Sequence, residues 1–317
     1  MANQFTGTAT ITNQTGITGL VQTAYDRYVE FALRSQPLLR GIADKRPVQL
    51  AMPGSSVVFS FYNDLGTATG TLVENIDPDS VALSNVSTVT VTLSEYGNSV
   101  LTTRKFDEFS FSDVDPAVAN IVAYNMADSL DSLVQTELVG GTNVLRPNAR
   151  ATTGAVTGTD IISGALVRQA TTKLRGGNAL PRYGMLYGAY IHPEVSYDLK
   201  AESGSGAFED IRKYTDSQVG NIINGVTGVV HGAYFIESPR MLQATDGATA
   251  TRVFRTLLFG QQALAEAVAQ EPTIVFGPVT DKMNRFRPVS WYGVLGWKRF
   301  REASIYRIES TSSIHNT

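Results

Sequence analysis

The stretch DPAVANIVAYNMADSLDSLVQTELVGG, residues 115–141, decides how the rest of this sequence is read. Asp115 followed by Pro116 is a helix start: the carboxylate accepts from free first-turn amides, and proline loses nothing where an amide has no partner. Gly140-Gly141 supplies the stop. Between them Val118, Val122, Met126, Leu130, Leu133 and Glu137 mark one side at three- and four-residue steps, widened by Ile121, Val134 and Leu138. About 24 residues at about 1.5 Å each make a helix about 36 Å long. That is twice the usual length or more, and it predicts the backbone of an extended body.

On its N-terminal side two segments alternate. Residues 55–62 place Val57, Phe59 and Phe61 on one face, with Ser56, Ser60, Tyr62 and Val58 on the other. Ser87 to Leu93 sets Val89, Val91 and Leu93 against Thr88, Thr90 and Thr92. The intervening Asp64 to Ser84 is polar and turn-rich, with Asn75-Ile76-Asp77-Pro78 marking a turn. The pattern predicts a two-stranded excursion that leaves near Pro53 and returns near Tyr96. About 20 residues each way would project as much as about 60 Å. Such a ribbon is not stable alone in water, so it must lie on something, which we take to be a neighbouring subunit. Further upstream, residues 1–19 are Thr-, Gly- and Asn-rich and read as an extended or mobile arm. Leu20, Ala24, Tyr28, Phe31 and Ala32 then give a helical stripe ended by Pro37.

On the C-terminal side, residues 142–159 read as a loop, and Asp160 is expected to open a helix running through Leu174 to Gly176-Gly177-Asn178. A strand from Met185 to Ile191, a helix from Pro193 and a loop at Gly204-Ser205-Gly206 follow. Gly228 to Ser238 reads as a strand or strand pair, Arg252 to Phe259 as a strand, and Gln261 to Gln270 as an Ala-rich stretch. That alternation describes a compact α+β or α/β lobe. Val289 to Ile308 is strand-like and is expected to return to the sheet beside the long helix.

Composition narrows the function classes. Of 317 residues, 43% are hydrophobic and 17% charged, which suits a folded chain whose polar-neutral surface meets other protein. A net charge of −3 gives no general footprint for nucleic acid. The absence of cysteine excludes disulfides, thiolate metal sites and thiol nucleophiles. Residues 1–6, MANQFT, lack the basic region and apolar core of a signal peptide, and no apolar run reaches membrane-span length, so the sequence reads as soluble and unsecreted.

No catalytic constellation survives inspection. The sequence has neither a phosphate-cradling glycine loop nor a G-x-S-x-G elbow. His192, His231 and His315 lack ligand spacing, so no metal is expected. Asn75, Asp77 and Asp79 alternate like the start of a calcium loop, but Ser80 and Val86 stand where that loop needs glycine and glutamate. Asp128 and Asp131 lie one turn apart on the long helix and read as solvent-facing. Lys282, Arg285 and Arg287, then Lys298, Arg299 and Arg301, form one positive cluster. Its bland reading is surface solvation and subunit salt bridges; its sharper one is non-specific contact with nucleic-acid phosphates.

The order of arm, projecting hairpin, long helix, inserted lobe and returning strand resembles the major capsid proteins of tailed bacteriophages. Three stretches carry the likeness: Asp115-Pro116 to Gly141, GVVHGAYFIESP at 228–239, and GVLGWK at 293–298 with IYRIES at 305–310. The resemblance implies an α+β capsid fold: an N-terminal arm and helix at 1–52, an E-loop at 53–96, and a peripheral domain with spine helix at 97–159. An axial domain at 160–270 and a return to the peripheral domain at 271–317 complete it. It implies no enzyme activity and no cofactor, but a homo-oligomer of pentamers and hexamers closing an icosahedral shell around double-stranded DNA. Assembly would occur in the host cytoplasm and involve no membrane; scaffolding, portal and decoration proteins would be separate partners.

On this reading Asp64, Glu74, Asp77 and Asp79 mark an assembly tip on the E-loop, and Gly204, Ser205, Gly206 and Phe208 an axial assembly loop. Lys282, Arg285 and Arg287 are candidates for a face turned to packaged DNA. Some members of the family crosslink an E-loop lysine to a neighbour, whereas Pro47 through Thr103 contains no Lys or Arg, so an uncrosslinked shell is expected. A cellular encapsulin-type compartment, which shares the fold, is the first alternative. A monomeric hydrolase with an unrecognised site is the second.

Overall fold

The computed structural model describes residues 34–47, 56–62, 65–77, 80, 82, 87–109, 114–202, 226–279 and 281–314. The arm at 1–19, most of the helix expected from Leu20 to Arg34, the axial loop around Gly204–Phe208 and His315 lie outside them, as do Asp64 and Asp79.

The long helix forms as the sequence requires, and we label it α2 (Val114–Val139) after the short α1 (Arg104–Phe109). Its buried stripe is Val122, Leu130, Val134 and Leu138. At its C-terminus the glycine pair does more than stop the helix. An Arg299 Nη1 donates to the Glu137 carbonyl at 3.0 Å, satisfying an end carbonyl that has no partner in the helix, and a Cβ on Gly140 would stand 2.9 Å from that same nitrogen. Glu302 Oε1 then accepts from the Thr142 amide at 2.6 Å.

Two sheets flank α2. The first has four strands in the order β1-β11-β12-β4: β1 (Ala43–Pro47), β4 (Ser94–Thr103), β11 (Leu264–Phe276) and β12 (Phe286–Arg299). One face, through Leu264, Val289, Trp291, Leu295 and Trp297, packs on α2 and on Leu39 and Ile42. The second sheet follows β5-β13-β10-β6-β8-β7, with β9 also on β10. Its strands are β5 (Val144–Leu145), β6 (Tyr187–Ile191), β7 (Val226–Val230), β8 (Ala233–Glu237), β9 (Gln243–Ala244), β10 (Val253–Phe259) and β13 (Ile305–Ser310). Helices α3 (Gly164–Gly176) and α4 (Pro193–Ala201) cover one face through Val167, Ala170, Leu174, Val195 and Leu199. Tyr190, Leu257 and Phe259 on the other face join the cluster around α2. Strands β6 and β10 are therefore buried at every residue, which is why VFRTLLF reads as a run and not an alternation.

Several expectations change. Asp160 does not open α3; the N-cap is Ser163. Asp160 is instead a buried carboxylate, accepting from Asn148 at 2.6 Å and the Thr157 amide at 2.7 Å and pairing with Arg150 at 2.9 Å. Val289 to Ile308 divides between the sheets: β12 lies beside the long helix, whereas β13 crosses to β10 and β5. The Ala-rich stretch begins β11 in the four-stranded sheet, not in the lobe. Gly228 to Ser238 resolves into the hairpin β7–β8, whose two turn residues, His231 and Gly232, have φ of 49° and 82°.

Asp131 is buried, not solvent-facing, and accepts from the Leu39 amide at 2.7 Å and Arg240 Nε at 3.0 Å. That pair ties the incoming chain and the lobe to the middle of α2.

Candidate assembly surfaces

The ribbon is β2 (Ser56–Phe61) paired antiparallel with β3 (Ser87–Thr92), in register from Ser56↔Thr92 to Phe61↔Ser87. The alternation holds: Phe59 and Val91 are buried, and Val57, Phe61 and Val89 pack beside them. What covers that face differs from the expectation. The ribbon base lies on its own chain, on the face of the four-stranded sheet opposite α2, against Ala265, Ala267 and Phe300. The Phe300 ring meets Phe59 edge-on at 6.2 Å and Phe61 at 5.5 Å, and the Arg301 guanidinium sits over Phe61 at 5.2 Å. Small residues admit the ribbon: a Cβ on Gly296 would stand 2.1 Å from the Thr92 carbonyl oxygen. The six paired residues of each strand extend about 20 Å, and residues 65–77 continue beyond them.

Beyond the base the chain finds no such cover. Residues 65–77 are exposed throughout, and Leu72, Val73 and Ile76 are 78%, 60% and 67% exposed. The Ile76 amide donates to the Val73 carbonyl at 3.2 Å, so the turn centres on Glu74 and Asn75, slightly before the predicted one. Glu74 and Asp77, two of the four predicted tip residues, lie together on this segment, exposed.

A second uncovered surface caps the other end of the four-stranded sheet. There Phe276 ends β11, β12 begins at Phe286, and α1 follows β4, with the Arg104 amide donating to the Arg285 carbonyl at 2.9 Å. Phe106, Phe109, Phe276 and Met283 are exposed. Lys282, Arg285 and Arg287 are brought together here and are exposed too. Arg285 pairs with Asp281 at 2.7 Å and lies over the Phe286 ring at 5.3 Å. The other half of the predicted basic cluster is used internally. Lys298 stands 3.8 Å from Glu137, Arg299 pairs with Glu302 at 3.0 Å, and Arg301 covers Phe61.

The sequence reading missed the charged centre of the seven-stranded sheet. Glu309, 1% exposed, is held by Arg146 Nε at 2.7 Å, Arg307 Nε at 2.9 Å, Arg255 Nε at 3.6 Å and the Thr153 hydroxyl at 2.8 Å. Burial pushes its pKa up, but the Thr153 hydrogen bond with Arg307 and Arg146 outweighs this and leaves it below the usual range. Arg307 and Glu309 share β13, but Arg146, Thr153 and Arg255 come from distant segments, so no local spacing signals the cluster. His192 caps α4, its Nδ1 accepting from the Glu194 amide at 3.3 Å, and burial lowers its pKa. Among the described residues no three His, Cys, Asp or Glu side chains form a metal-holding group, and no helix is long and apolar enough to cross a membrane.

These features, an α2 spine between two sheets, a ribbon anchored at its base and two open surfaces, define a shell-building subunit. The family model described as phage capsid protein matches residues 147–314, more than half of the chain, and the chain belongs to that family. No curated protein matches it by sequence. Among solved structures it is similar to the capsid of cyanophage Pam1, at TM-score 0.75 and 14% identity over 93% of this chain and 98% of that one. The acid-stable capsid of Helicobacter pylori bacteriophage KHP30 gives 0.72 and 14% over 98% and 99%. The capsid of Ralstonia phage GP4 gives 0.69 and 15% over 92% and 95%. The fold is thus the α+β phage major capsid fold, and the chain is a phage capsid protein, a structural protein of the virion.

Proposed function

We propose that this capsid protein closes its shell through rings of five and six subunits, built without a covalent crosslink around double-stranded DNA. The observation that carries the proposal is residues 65–77, which leave Leu72, Val73 and Ile76 exposed on a segment whose base is fixed to its own chain. A fixed base aims the segment, and an uncovered apolar tip needs a neighbour. The lobe segment with Gly204, Ser205, Gly206 and Phe208 faces the ring axis in this proposal, and the tip residues Asp64, Glu74, Asp77 and Asp79 lie over the next subunit. Each contact is modest; repetition around a closed shell makes the sum strong. Assembly takes place in the host cytoplasm with separate scaffolding, portal and decoration proteins, and the subunit performs no catalysis.

Electron microscopy and a sizing column test this on the expressed full chain and on a variant lacking residues 65–77. Closed shells from the first and folded, unassembled subunits from the second are expected. A 34 kDa monomer that never assembles, or normal shells from the deletion, would overturn it.

A further inference from the structure

The guanidiniums gathered around Glu309 outnumber the carboxylates that hold them. Arg307 and Glu309, two residues apart on β13, share one face of the sheet, and Arg255 on β10 stands opposite Glu309. Arg146 Nε and the Thr153 hydroxyl donate to Glu309 Oε2, while Arg307 Nε at 2.9 Å and Arg255 Nε at 3.6 Å face Oε1. Among the described residues the one other acid paired with these arginines is Asp246, on Arg255 Nη2. Three cations therefore meet two anions. Arg146 spends its terminal nitrogens within the chain, on the Ala151 carbonyl at 2.9 Å and the Thr153 hydroxyl at 3.3 Å. Arg307 does not: its Nη1 and Nη2 meet no acceptor among the described residues, although the side chain is only 13% exposed. Arg255, 9% exposed, keeps its Nη1 buried without an acceptor.

We propose that this cluster binds a small oxyanion of the phosphate class, gripped by the Arg307 Nη1–Nη2 fork in the positive field of Arg146 and Arg255. The planar fork presents two parallel N–H donors, the spacing of two oxygens on one phosphorus. The ion supplies the negative charge that Glu309 and Asp246 leave unanswered. Burial pushes the Arg307 guanidinium below its usual pKa; Glu309 opposes this, and Arg255 and Arg146 add to it, so an added anion is favoured there. Arg146 opens the segment 147–155 and Arg307 lies on β13, so a seated oxyanion also ties that segment to the sheet. An ion bound only by the folded chain stabilises it by mass action.

A duplex backbone carries the same phosphate oxygens. The Arg307 fork is recessed, however, and a free ion reaches it where a wide duplex is held off. The exposed cations at the far end of the four-stranded sheet, Lys282 and Arg287, make no comparable demand, because water reaches each of them.

The unassembled full chain in a phosphate-free buffer tests the site. Inorganic phosphate at about 10 mM, against sodium chloride of equal ionic strength, should raise Tm by about 3 °C or more and saturate. The phosphorus resonance of free phosphate should broaden when the wild-type chain is added, a readout that needs no variant. Arg307→Lys keeps the charge but loses the fork; it should fold, by circular dichroism, and lose most of the phosphate shift. Equal Tm in phosphate and chloride, or an unbroadened phosphorus line, overturns the site. So does a folded Arg307→Lys variant that keeps the whole shift. A double-stranded oligonucleotide at the same phosphate concentration should leave Tm unchanged. A shift as large as that of free phosphate would overturn the small-ion reading and assign the fork to packaged DNA.

Discussion

The two sheets of this subunit are built to opposite ends. In the seven-stranded sheet β6 and β10 are buried at every position, helices cover one face, and the spine cluster covers the other. Its charges are gathered internally, three arginines around Glu309. The four-stranded sheet is finished only where α2 and the ribbon base cover it; its far end and the ribbon's outward segment present Phe276, Phe109, Leu72 and Ile76 to solvent. The contrast teaches where stability and assembly reside. A subunit needs one region that folds without partners, so that another can wait for them.

The comparison breaks most visibly in the closed sheet. Phe254, fully buried between β10 and the α3–α4 layer, should cost about 3–5 kcal/mol on replacement by alanine, because the rigid surroundings leave a cavity. Thermal denaturation of the unassembled subunit would show a large fall in Tm, and soluble yield would drop with it.

Glu309→Gln comes next. It leaves Arg146, Arg255 and Arg307 without their shared anion, at a cost of about 3 kcal/mol or more. Glu309 and a second buried carboxylate, Asp160 with its own partners Arg150, Asn148 and Thr157, give a pH dependence. The carboxyls of Glu309 and Asp160 are both depressed: burial raises each, but hydrogen bonds and ion pairs outweigh it. The folded state therefore holds fewer protons than the unfolded one. Their stabilisation is complete above the unfolded carboxylate pKa of about 4 and is lost as pH falls through the lower folded values. Tm of the unassembled subunit should drop steeply below about pH 4, and less steeply in Glu309→Gln. Equal slopes would place the acid-labile groups elsewhere.

Gly296→Ala sharpens the comparison from the other side. Its methyl would stand 2.1 Å from the Thr92 carbonyl oxygen, so the ribbon must lift. About 1–3 kcal/mol of overpacking is expected, with shells lost although the lobe remains folded by near-ultraviolet circular dichroism. The smallest effect on the subunit belongs to Leu72→Ser, within about 0.5 kcal/mol of wild type. Shell yield should nonetheless fall, and a Tm change as large as that of Gly296→Ala would show that Leu72 is covered within its own chain.

Local pattern made much of this readable. Asp115-Pro116, the apolar steps of α2 and Gly140-Gly141 bound the helix to within a residue or two. The alternation at Val57–Phe61 and Val89–Val91 assigns the ribbon's inward face correctly. Asp160 misled for a physical reason: an aspartate ahead of an apolar run satisfies free amides equally well at a helix start or in a loop, here the one that carries Thr157. Asp131 misled because three- and four-residue spacing places a side chain on a helix face without saying what meets that face, here the Leu39 amide and Arg240.

By itself the sequence determined the long helix and the inward face of the ribbon, since periodicity and caps are properties of neighbouring residues. It also determined that the ribbon is acidic throughout, without one Lys or Arg from Pro47 to Thr103. Only the tertiary structure decided which sheet each strand joins, sending β12 to α2 and β13 to β10, because pairing is chosen by the burial each strand finds far along the chain. It likewise decided that the ribbon base rests on its own subunit. That outcome depends on Gly296, Ala265 and Ala267 leaving room on a face whose neighbours are set by folding and not by sequence order.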